Sequence, residues 1–467
     1  MTYDSFDKAL ENAVSKFKLC SDKPIRIISH FDSDGISAAS ILIKALKRED
    51  MKFAVSIVRQ LSKNVLEELK LEDYSCYVFL DLGSGSLSLI KEFLKDKTIF
   101  VLDHHKIEDV KSDVIHINPH LFGIDGTTEI SGAGVTYLFA KKLNIKNKDM
   151  AHIALVGAIG DVQENKGFFK LNNDILKDAI ELNNVEVKQG LRMFGLQTKP
   201  LHRVLQYSID PYIPDVTGSE EGALLFLDKI GIEAKRGNKW KKLVHLDDDE
   251  MKKLVTGVIL KRLGSEKNPE DVLGPVYTLK NEEMESPTKD AKEFSTLLNS
   301  CGRLRKSSVG IGTCLGDENL KHEATKVLNE YKGEIINSLN WFYKNKSKMI
   351  EEEGFIIVNA EDKINDTLIG TLASMISRTN LYKEDTVILT MAHTFDNKTK
   401  ISIRKTGRKN NNLNLLSLLN EIVTKVGGEA GGHSYVAAGA LIDQEKEEEF
   451  IKVARNLLKN RMMEEKV

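Results

Sequence analysis

Aspartates and histidines that follow apolar runs are the residues of this chain that could do chemistry. His30, Asp32 and Asp34 sit at alternate positions in HFDSDG, directly after the apolar run 24–29. Asp81 follows the run 76–80, Asp103-His104-His105 follows 98–102, and Asp161 follows the apolar stretch that ends at Gly160. In an extended segment alternate side chains point the same way, so His30, Asp32 and Asp34 are expected to converge. Gly35 is expected to permit a sharp turn into a helix. Gathering so many carboxylates without cations is costly in repulsion and desolvation, and divalent metal resolves the conflict. Asp oxygens mixed with His nitrogens, without sulfur, suit Mn²⁺ or Mg²⁺ better than a structural zinc. The supply of ligands is large enough for two ions sharing a bridging carboxylate. Two ions about 3.5–4 Å apart are a recognised arrangement for in-line displacement at phosphorus. Hydrolysis of a phosphate ester or anhydride is therefore the expected reaction.

Taken singly, an aspartate at a strand end is usually a helix cap or turn residue. A lone loop histidine is usually a solvated surface group, and His116, His120, His202 and His245 are read that way. What lifts the set above that background is its order at successive strand ends: H-x-D-x-D, then D, then D-H-H, then D.

These residues need elements to position them. Runs 24–29, 53–58, 76–80 and 98–102 read as strands, and 35–47, 62–69 and 86–94 as helices between them. Ser131 caps a helix over 131–143, with Ala133 and Gly134 allowing close packing, and another apolar helix spans 150–159. Such alternation predicts a parallel sheet with helices on both faces, with ligands at the carboxyl ends of the strands. Residues 172–353 read as mainly helical, with polar breaks at 210–222 and 263–275 and long helices at 289–298 and 318–344. A second α/β section begins near 354, with strands at 386–391 and 400–404 and helices at 413–425 and 444–458. The expected division is 1–195, 196–353 and 354–467.

The composition agrees with that plan. A chain of 467 residues suggests two or three domains at about 150 residues each. Hydrophobic residues make up 41% and charged residues 29%, which excludes a disordered or fibrous chain. Lys+Arg at 67 nearly cancels Asp+Glu at 69, so a polyanion would be held by local clusters, not by overall charge. The four cysteines, Cys20, Cys76, Cys301 and Cys314, are scattered, as expected of a reducing cytoplasm and a metal site without thiolates. The amino terminus does not read as a signal peptide and the apolar stretches are too short to cross a bilayer. A cytoplasmic protein that avoids membranes is expected.

HFDSDG, LDLGSG, LDHHK and IGDVQE resemble the successive motifs of the DHH phosphoesterase superfamily, with DHH itself at Asp103–His105. The resemblance implies a two-manganese site in which His30 and Asp32 hold one ion, Asp34, His104 and Asp161 the other, and Asp81 bridges. His105 would then face the scissile phosphate while Asp103 orients the histidines. Gly431-Gly432-His433 and the AAG that follows resemble the GGHxxAAG signature of the DHHA1 substrate domain. Physically, the two glycines would let backbone amides approach a phosphate. The implied architecture is an α/β DHH domain with a parallel sheet, a helical middle insert, and a C-terminal α+β DHHA1 domain across a cleft.

Further likenesses point to RecJ-type nucleases. Ser402 and Arg404, beside Lys405, Arg408 and Lys409, are spaced like their Ser-x-Arg, and Arg suits bidentate phosphate binding. LLNSCGR, with Asn299 and Arg303, is similar to their N-A-A-G-R-type segment, and Arg59 matches an arginine for a terminal phosphate. The wording EFSTLLNSCGR and the length look like archaeal RecJ-like proteins, including the GINS-associated nuclease. The resemblance covers 201–282 poorly, which makes that insert a candidate docking site for a partner such as GINS. Trp240, in KRGNKWKK, could stack on a base but reads more simply as part of a solvated turn, and Trp341 reads as core. The leading expectation is a metal-dependent exonuclease on single-stranded DNA, running 5′→3′ in repair or replication, with RNA an alternative substrate. Competing readings are a phosphodiesterase of oligoribonucleotides or cyclic dinucleotides, and a GINS-binding replisome component with a structural role.

Overall fold

Five- and six-residue apolar runs become the strands of one parallel sheet, and the polar stretches between them the helices that cover it. The computed structural model describes residues 2–111, 113–164, 166–208, 211–379, 381–407, 413–433 and 437–464. Its first part runs α1 (Thr2–Lys18), β1 (Ile25–His30), α2 (Ser33–Arg48), β2 (Phe53–Val58), α3 (Lys63–Leu71), β3 (Cys76–Leu80), α4 (Leu87–Leu94), β4 (Thr98–Leu102), β5 (Ile115–Ile117), α5 (Gly132–Leu143), α6 (Ala151–Gly160) and α7 (Lys170–Glu181). The strand order is β2-β1-β3-β4-β5 and every neighbouring pair is parallel. Ile27, Val78 and Phe100 face a core shared with α1, α2, α5 and α6, while Ile28, Tyr77, Phe79 and Val101 face one shared with α3 and α4. Both faces of the central strands β1, β3 and β4 are dry, which is why they read as continuous apolar runs rather than alternating ones. β5, three residues long, carried too short a pattern to be read in advance.

The sheet order also fixes where a ligand can sit. From β1 the chain builds outward in both directions, to β2 on one side and through β3 to β5 on the other. The crevice at the carboxyl ends of β1 and β3 is thus a topological switch point.

The stretch read as mainly helical contains a sheet of its own. β6 (Val185–Leu191) leads into α8 (Leu201–Gln206), α9 (Glu220–Lys229), the short strands β7 (Lys235–Arg236) and β8 (Lys239–Trp240), and α10 (Asp248–Arg262), and β9 (Leu273–Leu279) returns antiparallel to β6. This two-stranded neck was missed because its outward positions, such as Glu186 and Lys188, are charged and only one side of the ribbon is covered. The elements it encloses share a core of Leu201, Val204, Leu227, Leu254 and Val258. α11 (Ala291–Arg303), α12 (Ser307–Cys314) and α13 (Glu318–Asn345) follow, and the chain divides into two units within α13, between Leu328 and Asn329.

The second unit is built on β10 (Ile350–Glu352), β11 (Phe355–Asn359), α14 (Ile369–Ser377), β12 (Val387–His393), β13 (Lys398–Lys405), α15 (Leu415–Val426), β14 (Glu429–His433), β15 (Ala437–Asp443) and α16 (Glu447–Glu464). Its six strands lie in the order β10-β11-β12-β13-β15-β14, parallel only between β11 and β12. Trp341 is half-buried, and the neighbouring Phe342 takes the core position expected of it. Among the described residues no helix is long and apolar enough to cross a membrane.

Candidate metal centre

The H-x-D-x-D motif converges, but not as an extended strand. β1 stops at His30, Asp32 is the N-cap of α2 with its Oδ1 accepting the Gly35 N–H at 3.0 Å, and Asp34 lies in the first helical turn. The three side chains meet because the chain turns around them. Gly35 does not supply the turn through a left-handed backbone. It lies inside α2, where a Cβ would overlap the carbonyl of His30.

Asp34 is fully buried and points back at the start of α5, where its Oδ2 accepts the Gly132 N–H at 2.7 Å and its Oδ1 the Ala133 N–H at 3.1 Å. Those amides sit at the positive end of a helix, a favourable place for a carboxylate. Gly132 has to lack a side chain, since a Cβ there would lie 2.6 Å from Asp81 Oδ1. Sequence reasoning took 131–134 only as a cap and a packing surface, and missed that its amides hold a site residue.

Asp81 is the centre of the arrangement. It leaves β3 with φ +56°, a left-handed conformation that costs strain in a residue with a side chain, and is 1% exposed. His104 Nε2 lies 3.3 Å from Asp81 Oδ1, His30 Nδ1 3.5 Å from Asp81 Oδ2, and His105 Nδ1 3.7 Å from Asp81 Oδ1. His104 Nε2 is also 3.1 Å from Asp161 Oδ2 and 3.7 Å from Asp34 Oδ2, and His30 Nδ1 is 2.9 Å from Asp32 Oδ2. Among the described residues three groups of potential ligands emerge: His30, Asp32 and Asp81; Asp34, His104 and Asp161; and Asp81, His104 and His105. Within each group the ligand atoms lie within 4.8 Å of one another.

Burial and mutual proximity set the electrostatics of this cage. Both carboxylate oxygens of Asp81, His104 Nε2 and His30 Nδ1 are buried without a well-formed hydrogen bond. Buried polar atoms without partners are expensive, and here four of them point at one another. Burial opposes charge on His30 and His104, yet the surrounding aspartates outweigh it and raise both. Asp34 goes the other way: burial, then Asp81 and Asp161, raise it. Burial likewise works to raise Asp81, but His104 and His30 hold it well below the usual carboxylate range. The donor set fits hard ions bound through oxygen and imidazole.

Asp103 and His105 form the rim. Asp103, fully buried, accepts the Ser84 N–H at 2.9 Å and the His104 N–H at 2.8 Å, and His105 Nδ1 donates to its Oδ1 at 2.8 Å. Burial works to lower His105, but Asp103 prevails and pushes it up to about 9. The His105 side chain is half exposed. His116 departs from the surface role expected of it: half-buried, it bonds Ser84 Oγ at 2.8 Å, and burial lowers its pKa. Asn118 also donates to Ser84 Oγ at 2.8 Å and to the His105 carbonyl at 2.9 Å, so a small polar network braces the D-H-H turn. His202 is likewise no surface group; it is 2% exposed and packs against Trp240 with the rings tilted at 44°. His120 and His245 are exposed, as read.

The expected nucleic-acid contacts divide between the two units. Asn299, on α11, accepts the Ser33 N–H at 3.0 Å, so its oxygen steadies the turn that carries Asp32 and Asp34. Arg303 is half-buried at the end of α11, and Arg59 half-buried just after β2. In the second unit the Arg404 guanidinium is gripped by Ser402 Oγ and Ser374 Oγ, each at 3.0 Å. Gly431 and Gly432 form no loop: they lie in edge strand β14, paired with Gly439 and Ala438 of β15. Their lack of side chains hid a strand, because glycine carries no β signal. His433 ends β14, while Arg408 and Lys409 lie outside the described residues.

With this geometry in place, the likenesses to other proteins are specific. Residues 24–158 match the DHH family, N-terminal domain, residues 193–273 the DHH-CID domain, and residues 353–460 the DHHA1 domain. The segment expected to match poorly is thus largely a recognised domain. The chain is 32% identical over 446 residues to the uncharacterized protein MJ0831 of Methanocaldococcus jannaschii, covering 92% of this chain and 91% of that one. A putative single-strand DNA-specific exonuclease of Bacillus subtilis, YorK, is 25% identical over 248 residues, 47% of this chain and 41% of its own. Among solved structures, RecJ of Thermus thermophilus in complex with Mn²⁺ superposes with a TM-score of 0.59 at 16% identity, over 97% of this chain and 55% of that one. CDC45 of Entamoeba histolytica superposes with a TM-score of 0.64 at 14% identity, over 97% and 99%. At these identities the two structures establish the fold.

Proposed function

This chain belongs to the DHH family of proteins with DHH, DHH-CID and DHHA1 domains, and from that premise we propose that it is a metal-dependent nuclease that hydrolyses phosphodiester bonds of single-stranded nucleic acid. The observation that carries the reading is Asp81, whose two buried oxygens lack a well-formed hydrogen bond and face His30 on one side and His104 on the other. In this proposal His30 and Asp32 hold one ion and Asp34, His104 and Asp161 the other, with Asp81 between them. Mn²⁺ is the first choice and Mg²⁺ the second, and when bound the pair supplies electrophilic stabilisation of the phosphate and an activated water.

The rest is the work of the chain itself. Asp103 holds His105 by Nδ1, which leaves Nε2 as the free ring atom to face the scissile phosphate and donate to its oxygens. The amides of Gly132 and Ala133 fix Asp34, and Asn299 fixes the turn beside it. Arg404 with Ser402 and the β14 backbone at Gly431, Gly432 and His433 are proposed nucleic-acid contacts of the second unit, and Arg303 and Arg59 of the first. Single-stranded DNA is the specific substrate of the proposal, in line with the likeness to YorK, and cutting 5′→3′ is its proposed direction. Replacing Asp34 or His104 by Ala and assaying end-labelled single strands with Mn²⁺ tests it: nucleotide release at the parent rate would end the reading. Comparing a dinucleotide with a long strand separates it from a small-substrate phosphodiesterase.

A structural part of the replication machinery is the second role we propose; the likeness to CDC45, at 14% identity, is one of fold. Co-purification of GINS, lost on deleting 201–282, would support that role.

A further inference from the structure

One basic cluster is not used by the site above. KRGNKWKK, residues 235–242, surrounds Trp240 with five cations, and the structure sorts them into two kinds. Lys241 and Lys242 are structural, paired with Glu250 and Glu285 at 2.6 Å each. Lys235, Arg236 and Lys239 are exposed and have no carboxylate partner among the described residues. They lie on the β7–β8 hairpin, in which Lys235 pairs with Trp240 and Arg236 with Lys239 across a turn with Gly237 at φ +61°.

Trp240 is 39% exposed, yet it is held from below. Its ring sits 4.1 Å from that of His202, which is 2% exposed, and Lys235 Nζ lies 4.4 Å from its centroid. His202 belongs to α8, and a second aromatic group flanks that same short helix. Just before it, Lys199 places its Nζ 4.6 Å from the Phe194 ring and 5.2 Å from that of Tyr207, which directly follows the helix; both rings are exposed. A solvated turn needs neither a braced indole nor three cations without a carboxylate partner. Stacking faces interleaved with cations are what an unpaired strand engages, bases on rings and phosphates on Lys and Arg. A protein interface of ordinary size would need a wider apolar centre than a hairpin of two-residue strands provides.

We propose that the β7–β8 hairpin, with Trp240, Lys235, Arg236 and Lys239, is a second contact for single-stranded nucleic acid, extended along α8 by Phe194 and Tyr207. It rests on the nuclease reading and adds to it a grip made by the DHH-CID domain, separate from the residues that hold the metals.

The full chain reports on this directly, because Trp240 is one of only two tryptophans. Titration in EDTA with an oligothymidylate of about twenty nucleotides, longer than footprints of roughly 4–16, should quench its emission. Trp240→Leu should weaken binding about tenfold, the loss of one stacked base. Arg236→Ser with Lys239→Ser, which disturbs no packing, should reduce the slope of log affinity against log salt by about 1.4, at roughly 0.7 per phosphate. Both variants should cleave bis(p-nitrophenyl) phosphate in Mn²⁺ at the parent rate, which also shows that they fold. Unchanged strand affinity and salt slope in the Arg236/Lys239 variant would overturn the proposal and leave the hairpin to a protein partner. A parent chain that cleaves the small ester but binds no strand would overturn the nuclease reading as well, so the two failures are distinguishable.

Discussion

His104 and Gln163 donate to the same oxygen. The carbonyl of Gly126 accepts from His104 Nδ1 at 2.6 Å and from Gln163 Nε2 at 2.9 Å, and Asn172 Nδ2 donates in turn to Gln163 Oε1 at 2.7 Å. Since a carbonyl only accepts, the proton of His104 is fixed on Nδ1 and Nε2 is turned toward Asp81 and Asp161. Gln163 and Asn172 are 4% and 1% exposed, so this chain of amides is sealed from water. Gln163→Glu keeps the size and the acceptor for Asn172 but removes the donor to Gly126. It should weaken Mn²⁺ binding about tenfold, the low end for residues that orient a metal ligand. Titration followed by the electron spin resonance of free Mn²⁺ measures this, and unaltered affinity would remove Gln163 from the metal's support.

Asp81→Asn tests the centre of the cage. Asparagine tolerates the left-handed backbone of Asp81 better than most residues, so the variant should fold with its metal-free melting temperature little changed. It should lose at least about three orders of magnitude in hydrolysis, since one shared carboxylate serves both proposed ions. Ion-induced stabilisation should go as well: the parent gains about 2.7 kcal/mol at a hundredfold excess over the dissociation constant. Melting with and without Mn²⁺ checks the claim, and an equal rise in both proteins would refute it.

The metal motifs were legible because their chemistry is local. HFDSDG, Asp81 and D-H-H stand at the carboxyl ends of strands β1, β3 and β4, which the parallel sheet brings together, and Asp161 follows the apolar helix α6. Their supports were less visible. Gly126 and the amides of Gly132 and Ala133 act through the backbone, which carries no residue signature, while Gln163 and Asn172 look like ordinary polar residues until Gly126 is placed beside them. The unread strands failed for physical reasons too. β6 is charged on its open side, and β14 and β15 are rich in glycine and alanine, so neither showed the branched, alternating pattern of a buried strand. His202 was misread because one neutral imidazole under an indole leaves no trace in spacing.

Val162 stores strain beside the site. Between Asp161 and Gln163 it adopts φ +59°, a conformation that β-branched residues rarely hold, and its side chain is 65% exposed. Little packing is therefore lost on replacing it. Val162→Asn should raise stability by about 1 kcal/mol, roughly the cost of the left-handed turn. Urea unfolding checks the sign; a loss of stability would show that the valine makes contacts worth more than its strain.

Asp290 gives the fold a pH dependence that can be worked out. It is 4% exposed and caps α11, its Oδ1 accepting the amides of Lys292 and Glu293 at 3.0 Å each. Burial, reinforced by Glu293, pushes its carboxyl up to about 7. Its unfolded value is near 3.8, so the folded state binds the proton more tightly. The resulting stability is full below that value and is lost as pH rises through about 7. Asp290→Asn keeps a good cap and cannot ionise. Its stability relative to the parent should therefore be near zero or slightly negative at pH 4 and should climb to a gain on the order of 2–4 kcal/mol at pH 8, at about 1.4 kcal/mol per tenfold in proton affinity. Because α11 carries Asn299 against the Asp32–Asp34 turn, the same variant should hold its hydrolytic rate to higher temperature at pH 8 and show no such benefit at pH 5. Paired thermal melts at the two pH values decide it: a melting difference that does not change with pH would mean that Asp290 is ionised throughout and that its cap, not its proton, sets the stability of α11.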